Sequence, residues 1–201
     1  MKLTFKKLLP VALTVLFACV MTRAAEDRIE LHANLFGIDE VATPTAITNA
    51  TGTFTATINN DSTLTYTVTY KNLSSAVLQS HIHIGATKIS GNITIFLCSN
   101  LGNGPAGTPA CPDDGTHSGT VSRTVSAADV TNLAAAQGVP AGDFKDVVRA
   151  IVSHVTYANV HSANFPAGEI RGQIFSTPDP EQELPGAGHD HHHHDHDHDH
   201  N

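Results

Sequence analysis

The stretch SHIHIG, residues 80–85, places His81 and His83 one residue apart inside an apolar run. Neutral imidazole is the commonest side-chain metal ligand. A strand alternates its faces with period two, so both rings project to one side. That geometry permits a shared metal ion without demanding one. A third histidine, His161, stands in YANVHS with Tyr157 and Asn159, on the side opposite Ala158 and Val160. In 76–84 the apolar Ala76, Leu78, Ile82 and Ile84 oppose Gln79, His81 and His83, and in GEIRGQIF Ile170 and Ile174 oppose Glu169, Arg171 and Gln173. If these three segments neighbour one another in one sheet, His81, His83 and His161 converge as a metal site. Tyr157, Asn159, Glu169 and Arg171 would then be its supporting residues. Glu169 and Arg171 are expected to form a cross-strand ion pair. His32 and His117 are expected to be solvated, and His154 is a weaker candidate for a fourth ligand.

The C-terminus carries more imidazole. His189, His191, His192, His193, His194, His196, His198 and His200 alternate irregularly with Asp190, Asp195, Asp197 and Asp199. Imidazoles interleaved with carboxylates attract divalent copper, nickel or zinc without a preformed fold. The aspartate interruptions and the terminal Asn201 argue against an appended purification tag. Copper is the first ion expected and zinc the second, because affinity in the divalent series peaks at copper.

The elements that must position the three histidines follow from alternation. TGTFTATINNDSTLTYTVTY, residues 51–70, sets Phe54, Ala56, Ile58, Leu64, Tyr66, Val68 and Tyr70 against rows of threonine. This predicts two half-buried antiparallel strands joined at Asn59–Ser62, with the threonines as a solvated face. Further strands are expected over 28–36, with Ile29, Leu31, Ala33 and Leu35 inward, and over 76–84 and 91–98, the latter with Ile93, Ile95 and Leu97 inward. Others are expected at 118–124, 155–161 and 169–176. Ser126 with Asp129 resembles a capping box ahead of Val130, Leu133 and Ala134. Phe144, Val147, Val148 and Ile151 fall on one face of a helix starting near Asp143. The expected fold is all-β, an antiparallel β-sandwich that is Greek-key-like or barrel-like, with one or two short helices.

Residues 1–25 read as a signal peptide: Lys2, Lys6 and Lys7 precede LLPVALTVLFACV, and Thr22, Ala24 and Ala25 offer small residues for cleavage. The chain is therefore expected to be secreted or periplasmic. Leu16-Phe17-Ala18-Cys19 also resembles a bacterial lipobox, which would make the product a lipoprotein through Cys19, although Phe17 is atypical there. Cleavage leaves Cys98 and Cys111 as the one pair, and an oxidising compartment predicts that they are bonded. It also leaves seven basic against nineteen acidic residues, a net charge of −12 with histidine neutral, which excludes nucleic acid as a natural partner. No later stretch is long and apolar enough for a membrane-spanning helix. Aromatic residues make up 5% of the chain and tryptophan is absent, which argues against a carbohydrate-stacking surface. The folded domain is assigned to 26–176, a Pro/Gly/acidic linker to 177–188, and a His/Asp-rich disordered tail to 189–201.

The H-I-H of SHIHIG, together with YANVHSANFPAGEIRGQI at 157–174, resembles the CHRD domain, the repeat named from chordin and also found singly in exported bacterial proteins. The likeness implies a β-sandwich-like extracellular module. Ser162 departs from the threonine common after the histidine, and His154 stands where glycine is frequent. A second, more distant likeness is to copper-zinc superoxide dismutase, also an all-β sandwich, but the zinc loop of that family is missing. The function expected is thus an exported metal-binding protein, its tail capturing metal and the three histidines forming a site on the sandwich. One rival is a copper redox or dismutase-like enzyme in which Arg171 steers an anion. Enzymatic activity is left uncertain and is not favoured, because no complete catalytic constellation is visible. The other rival is a metal-free adhesion or protein-binding module braced by its histidines.

Overall fold

The computed structural model describes residues 28–41 and 46–177. The expected signal peptide, the expected linker and the histidine-rich C-terminus lie outside the described residues. Nine strands form one sheet among the described residues: β1 (Arg28–Phe36), β2 (Thr51–Asn59), β3 (Thr63–Lys71), β4 (Val77–Ile84), β5 (Ile93–Ser99), β6 (Gly119–Ser126), β7 (Thr156–Ser162), β8 (Ile170–Gln173) and β9 (Phe175–Thr177). Their spatial order is β5-β4-β7-β8-β1-β2-β3-β6, with β9 also paired to β1, and every pairing is antiparallel. Just past β6, Val130 bridges Ile95 of β5, so the two ends of the sheet approach each other and the barrel nearly closes. The all-β expectation holds.

The β2–β3 hairpin follows its alternation residue by residue. Phe54, Ala56, Ile58, Leu64, Tyr66, Val68 and Tyr70 are all buried, while Thr65, Thr67 and Thr69 pair through their hydroxyls with Thr124, Ser122 and Thr120 of β6. Asn60 and Asp61 turn the chain in the left-handed region, which these two residue types tolerate. The core continues through Leu31, Ala33 and Leu35 to the helix α1 (Phe144–Val152), whose Phe144, Val147, Val148 and Ile151 are buried. Asp143 caps that helix, accepting from the Asp146 N–H at 3.1 Å.

Three local expectations are corrected. The segment 169–176 is broken at the buried Ile174 into β8, which pairs mainly with β7, and β9, which pairs with β1. The capping box at Ser126 and Asp129 is present but yields only 3₁₀ turns, Ala127–Asp129 and Asn132–Gln137. The Val130 and Thr131 backbone between them is taken up by β5, and Leu133 is left exposed. In β5, Ile93 lies opposite His83 rather than in the core, because register shifts between β4 and β5 at Ser80/His81 and Ile82/His83 interrupt the simple alternation.

The Cys98–Cys111 disulfide closes the Gly/Pro-rich loop across 13 residues. Asn100 organises its interior, donating to Val77 O and Cys111 O and accepting from the Cys111 N–H. Replacing both cysteines by serine is expected to lower stability by roughly 3 kcal/mol, the chain-entropy value for a loop of this size. Denaturant midpoints check this, and an unchanged midpoint would mean that Asn100 alone holds the loop.

Candidate metal centre

Antiparallel pairing of β4, β7 and β8 is what brings the three histidines together. In the β4–β7 register His81 stands opposite Asn159, His83 opposite Tyr157 and Gln79 opposite His161, so His161 is diagonal to His81. β8 then sets Arg171 opposite Asn159. Ligand nitrogens of His81, His83 and His161 all lie within 4.8 Å of one another. His81 Nδ1 and His161 Nε2 are 3.1 Å apart. Two nitrogens at that separation, each about 2.0 to 2.1 Å from one ion, would subtend roughly a right angle at it.

The face carrying these rings is not solvated. His81 is fully buried, and His83 and His161 nearly so, at 8% and 6% exposure. Two loops fold over the face. One brings Gly91, whose carbonyl lies 2.9 Å from His83 Nδ1, and the other brings Pro166, whose carbonyl lies 3.0 Å from His161 Nδ1. Phe96 packs edge-on against His81 with ring centroids 4.5 Å apart. Tyr157 stacks on His83 at 4.7 Å with the planes 3° from parallel. A cleft of about 310 Å³ opens beside the centre, lined by Arg171, Lys88, Phe36 and Phe175, but none of the three imidazoles lines it.

Carbonyl partners fix which nitrogen carries the proton. A carbonyl oxygen only accepts, so His161 donates from Nδ1 to Pro166 and its Nε2 keeps a lone pair. His83 donates from Nδ1 to Gly91 in the same way, and its Nε2 lies 3.1 Å from Asn159 Oδ1, so a lone pair on that Nε2 is matched only when the carboxamide is turned to present its NH₂. Orienting a ligand ring through its other N–H is the usual support of a metal-bound imidazole. Gly91 is irreplaceable in this role, because a Cβ there would fall 1.4 Å from Ile84 O. The third ring has less support: His81 Nε2 is buried with no hydrogen-bond partner.

Burial also keeps the rings neutral. It pushes His83 and His161 from the ordinary 6.5 down to about 4, against the opposing effect of their carbonyl bonds. His81 is lowered further, by burial first and then by the neighbouring His161 and His83. At neutral pH all three therefore present lone pairs without competition from protons.

The supporting residues divide. Tyr157 and Asn159 touch His83 directly, and Arg171 lies 3.4 Å over the far face of Tyr157. The expected Glu169–Arg171 ion pair does not form. Glu169 accepts from the Ser74 N–H, the Ser74 hydroxyl and the Ser162 hydroxyl, while Arg171 donates to Ala86 O and Ile89 O. Glu169 stands just before β8 and Arg171 within it, two residues apart along the chain, so each meets different neighbours. Glu169 is thus no part of the centre. His32 is exposed, and His117 is half-exposed beside Asp113. His154, in the turn before β7, packs against Phe175 and stands outside the three-histidine group. Phe96 and the Gly91 and Pro166 carbonyls are contributors that sequence patterning did not indicate.

Residues 31–174 match the CHRD domain family, which covers well over half of the sequence. The chain belongs to the CHRD domain family. No curated protein and no solved structure matches it. The matched span of this CHRD domain begins in β1 and ends just after β8, enclosing all three histidines. Among the described residues no helix is long and apolar enough to cross a membrane.

Proposed function

We propose that this CHRD-domain protein binds a metal ion through His81, His83 and His161, copper first and zinc second, in an exported setting, secreted or periplasmic. The tail histidines His189, His191 to His194, His196, His198 and His200 capture metal from solution and raise its concentration near the domain. One observation carries the reading: three buried neutral imidazoles on two adjacent strands have ligand nitrogens within 4.8 Å of one another. Two of their protons are held on Nδ1 by backbone carbonyls, so the opposite Nε2 atoms can serve as ligands, that of His83 by exchanging its contact with Asn159 for the ion. A second reading is favoured by a different observation. The 3.1 Å His81–His161 contact is also a good hydrogen bond, which would make the three rings a metal-free brace within the sheet.

Metal content of the full chain after dialysis separates the two. The wild-type protein is expected to hold one chelator-resistant ion besides a weakly held set, and His161→Asn or His83→Gln should lose that one equivalent. Substituting His191 to His194 by serine should lose only weakly held ions. If the resistant equivalent is absent from wild type, or survives in both site variants, the metal reading fails. Variants that lose stability alone, with no metal-dependent component, would support the brace.

A further inference from the structure

The charge and crowding of the three-histidine centre bear on which ion it accepts, an inference that rests on the metal reading above. All three ligands are neutral imidazoles, and no carboxylate or thiolate belongs to the group among the described residues. The carboxylate nearest in sequence to the motif, Glu169, is turned away and held by Ser74 and Ser162. Cys98 and Cys111 are tied up in their disulfide. The other groups hydrogen-bonded to the ligand rings are uncharged too: the Gly91 and Pro166 carbonyls and the Asn159 carboxamide. Beyond Tyr157 stands the Arg171 guanidinium, with only 2% of the residue exposed and its charge partly offset by the Glu40 and Asp39 carboxylates.

An ion entering this centre keeps its whole charge. The cost of moving an ion out of water scales with the square of its charge, so a divalent ion faces about four times the penalty of a monovalent one of similar size. Neutral ligands offset none of the net charge. Coordination number argues in the same direction. Zinc takes four ligands, as a tetrahedral ion that completes its shell with water or another side chain. Here Phe96, Tyr157 and the two loop carbonyls occupy the surroundings, and His81 has no exposed surface from which water could approach.

We infer that the His81–His83–His161 centre is selective for a monovalent d¹⁰ ion, copper(I) in nature and silver(I) as its redox-inert counterpart, over zinc(II) and copper(II). The hydrated histidine tail, with its interleaved aspartates, keeps the opposite preference for divalent ions. Within one chain the two features then sort copper by oxidation state.

Thermal melting of the full-length protein tests this without truncation. Ions held alike by folded and unfolded chain leave the melting temperature unchanged, so tail binding drops out and the folded centre is read alone. The probes are silver nitrate in chloride-free buffer, copper(I) held reduced by ascorbate under nitrogen, zinc(II) and copper(II), each added separately at one concentration. Silver(I) and copper(I) are expected to raise the midpoint by roughly 5 to 10 °C at about a hundredfold excess over Kd. Zinc(II) and copper(II) should move it by less than about 2 °C on the same scale. In ¹⁵N-histidine spectra of the wild-type chain, silver(I) should shift three slowly exchanging imidazoles. An equal or larger stabilisation by zinc(II) or copper(II), with the same three imidazoles shifted, would overturn the selectivity while leaving the metal centre standing. No stabilisation and no shift of those imidazoles with any of the four ions would overturn the centre itself, and the selectivity with it.

Discussion

Metal-free protein is expected to lose stability steeply between pH 6.5 and about 4, unfolding with the uptake of up to three protons. His83 and His161 have their folded-state values lowered from 6.5 to about 4, and His81 is lowered further. Below 6.5 the unfolded chain therefore binds protons that the folded chain refuses. Stability rises with pH wherever the unfolded state holds more protons, so the contribution is fully present above 6.5 and is lost as pH falls toward the folded values. At about 1.4 kcal/mol per pH unit for each proton, His83 and His161 each account for a loss on the order of 3 kcal/mol. A typical domain has only about 5 to 15 kcal/mol in hand. Groups that titrate alike in both states, whatever their number, drop out of the slope.

Denaturant midpoints of EDTA-treated protein at pH 7, 6, 5 and 4 measure this directly. His81→Phe should be less stable than wild type at pH 7 yet lose stability less steeply, having one proton fewer to take up. Saturating metal should move the whole transition to lower pH, since protons and metal compete for the same lone pairs. Stability that stays flat from pH 7 to pH 4.5 would mean that these imidazoles are protonated in the fold and are not ready ligands.

The centre was legible in the sequence to the extent that it depends on parity. Alternation in SHIHIG and YANVHS assigns each histidine a side, and antiparallel pairing of β4 with β7 brings the sides together. Parity names a side and is silent about what covers it. The polar face of these strands is roofed by the loops carrying Gly91 and Pro166, whose contributions are backbone atoms and leave no side-chain signal. Parity is also silent about partners. Glu169, just before β8, and Arg171, within it, carry opposite charges two residues apart, yet their neighbours on the adjoining chain segments differ. The β2–β3 hairpin was read almost completely because each of its strands keeps one face in the core throughout. β5 was not, since its register against β4 shifts twice.

Arg171→Met is expected to destabilise the domain by about 3 kcal/mol or more, and Arg171→Lys by nearly as much. The guanidinium donates through Nη2 to Ala86 O at 3.2 Å and Ile89 O at 2.9 Å and lies over the Tyr157 ring. Hydrogen bonds from a charged donor contribute about 1.5 to 3 kcal/mol, and a desolvated cation–π contact about 2, against which stands the cost of burying the charge. A lysine ammonium lacks the planar fork that serves two carbonyls while stacking on a ring. The loss should reach the metal centre as well. Ala86 and Ile89 belong to the loop that delivers the Gly91 carbonyl to His83 Nδ1, so freeing it should let the His83 proton exchange between its nitrogens, visible in ¹⁵N-imidazole spectra. An unchanged His83 tautomer in a destabilised Arg171→Met protein would confine Arg171 to packing. The alternative of a Glu169–Arg171 ion pair makes a separate forecast, because removing the carboxylate would then recover much of the loss by relieving an orphaned charge. With Glu169 held by Ser74 and Ser162, Glu169→Gln combined with Arg171→Met should instead give losses additive within about 0.5 kcal/mol, as expected of residues that share no partner.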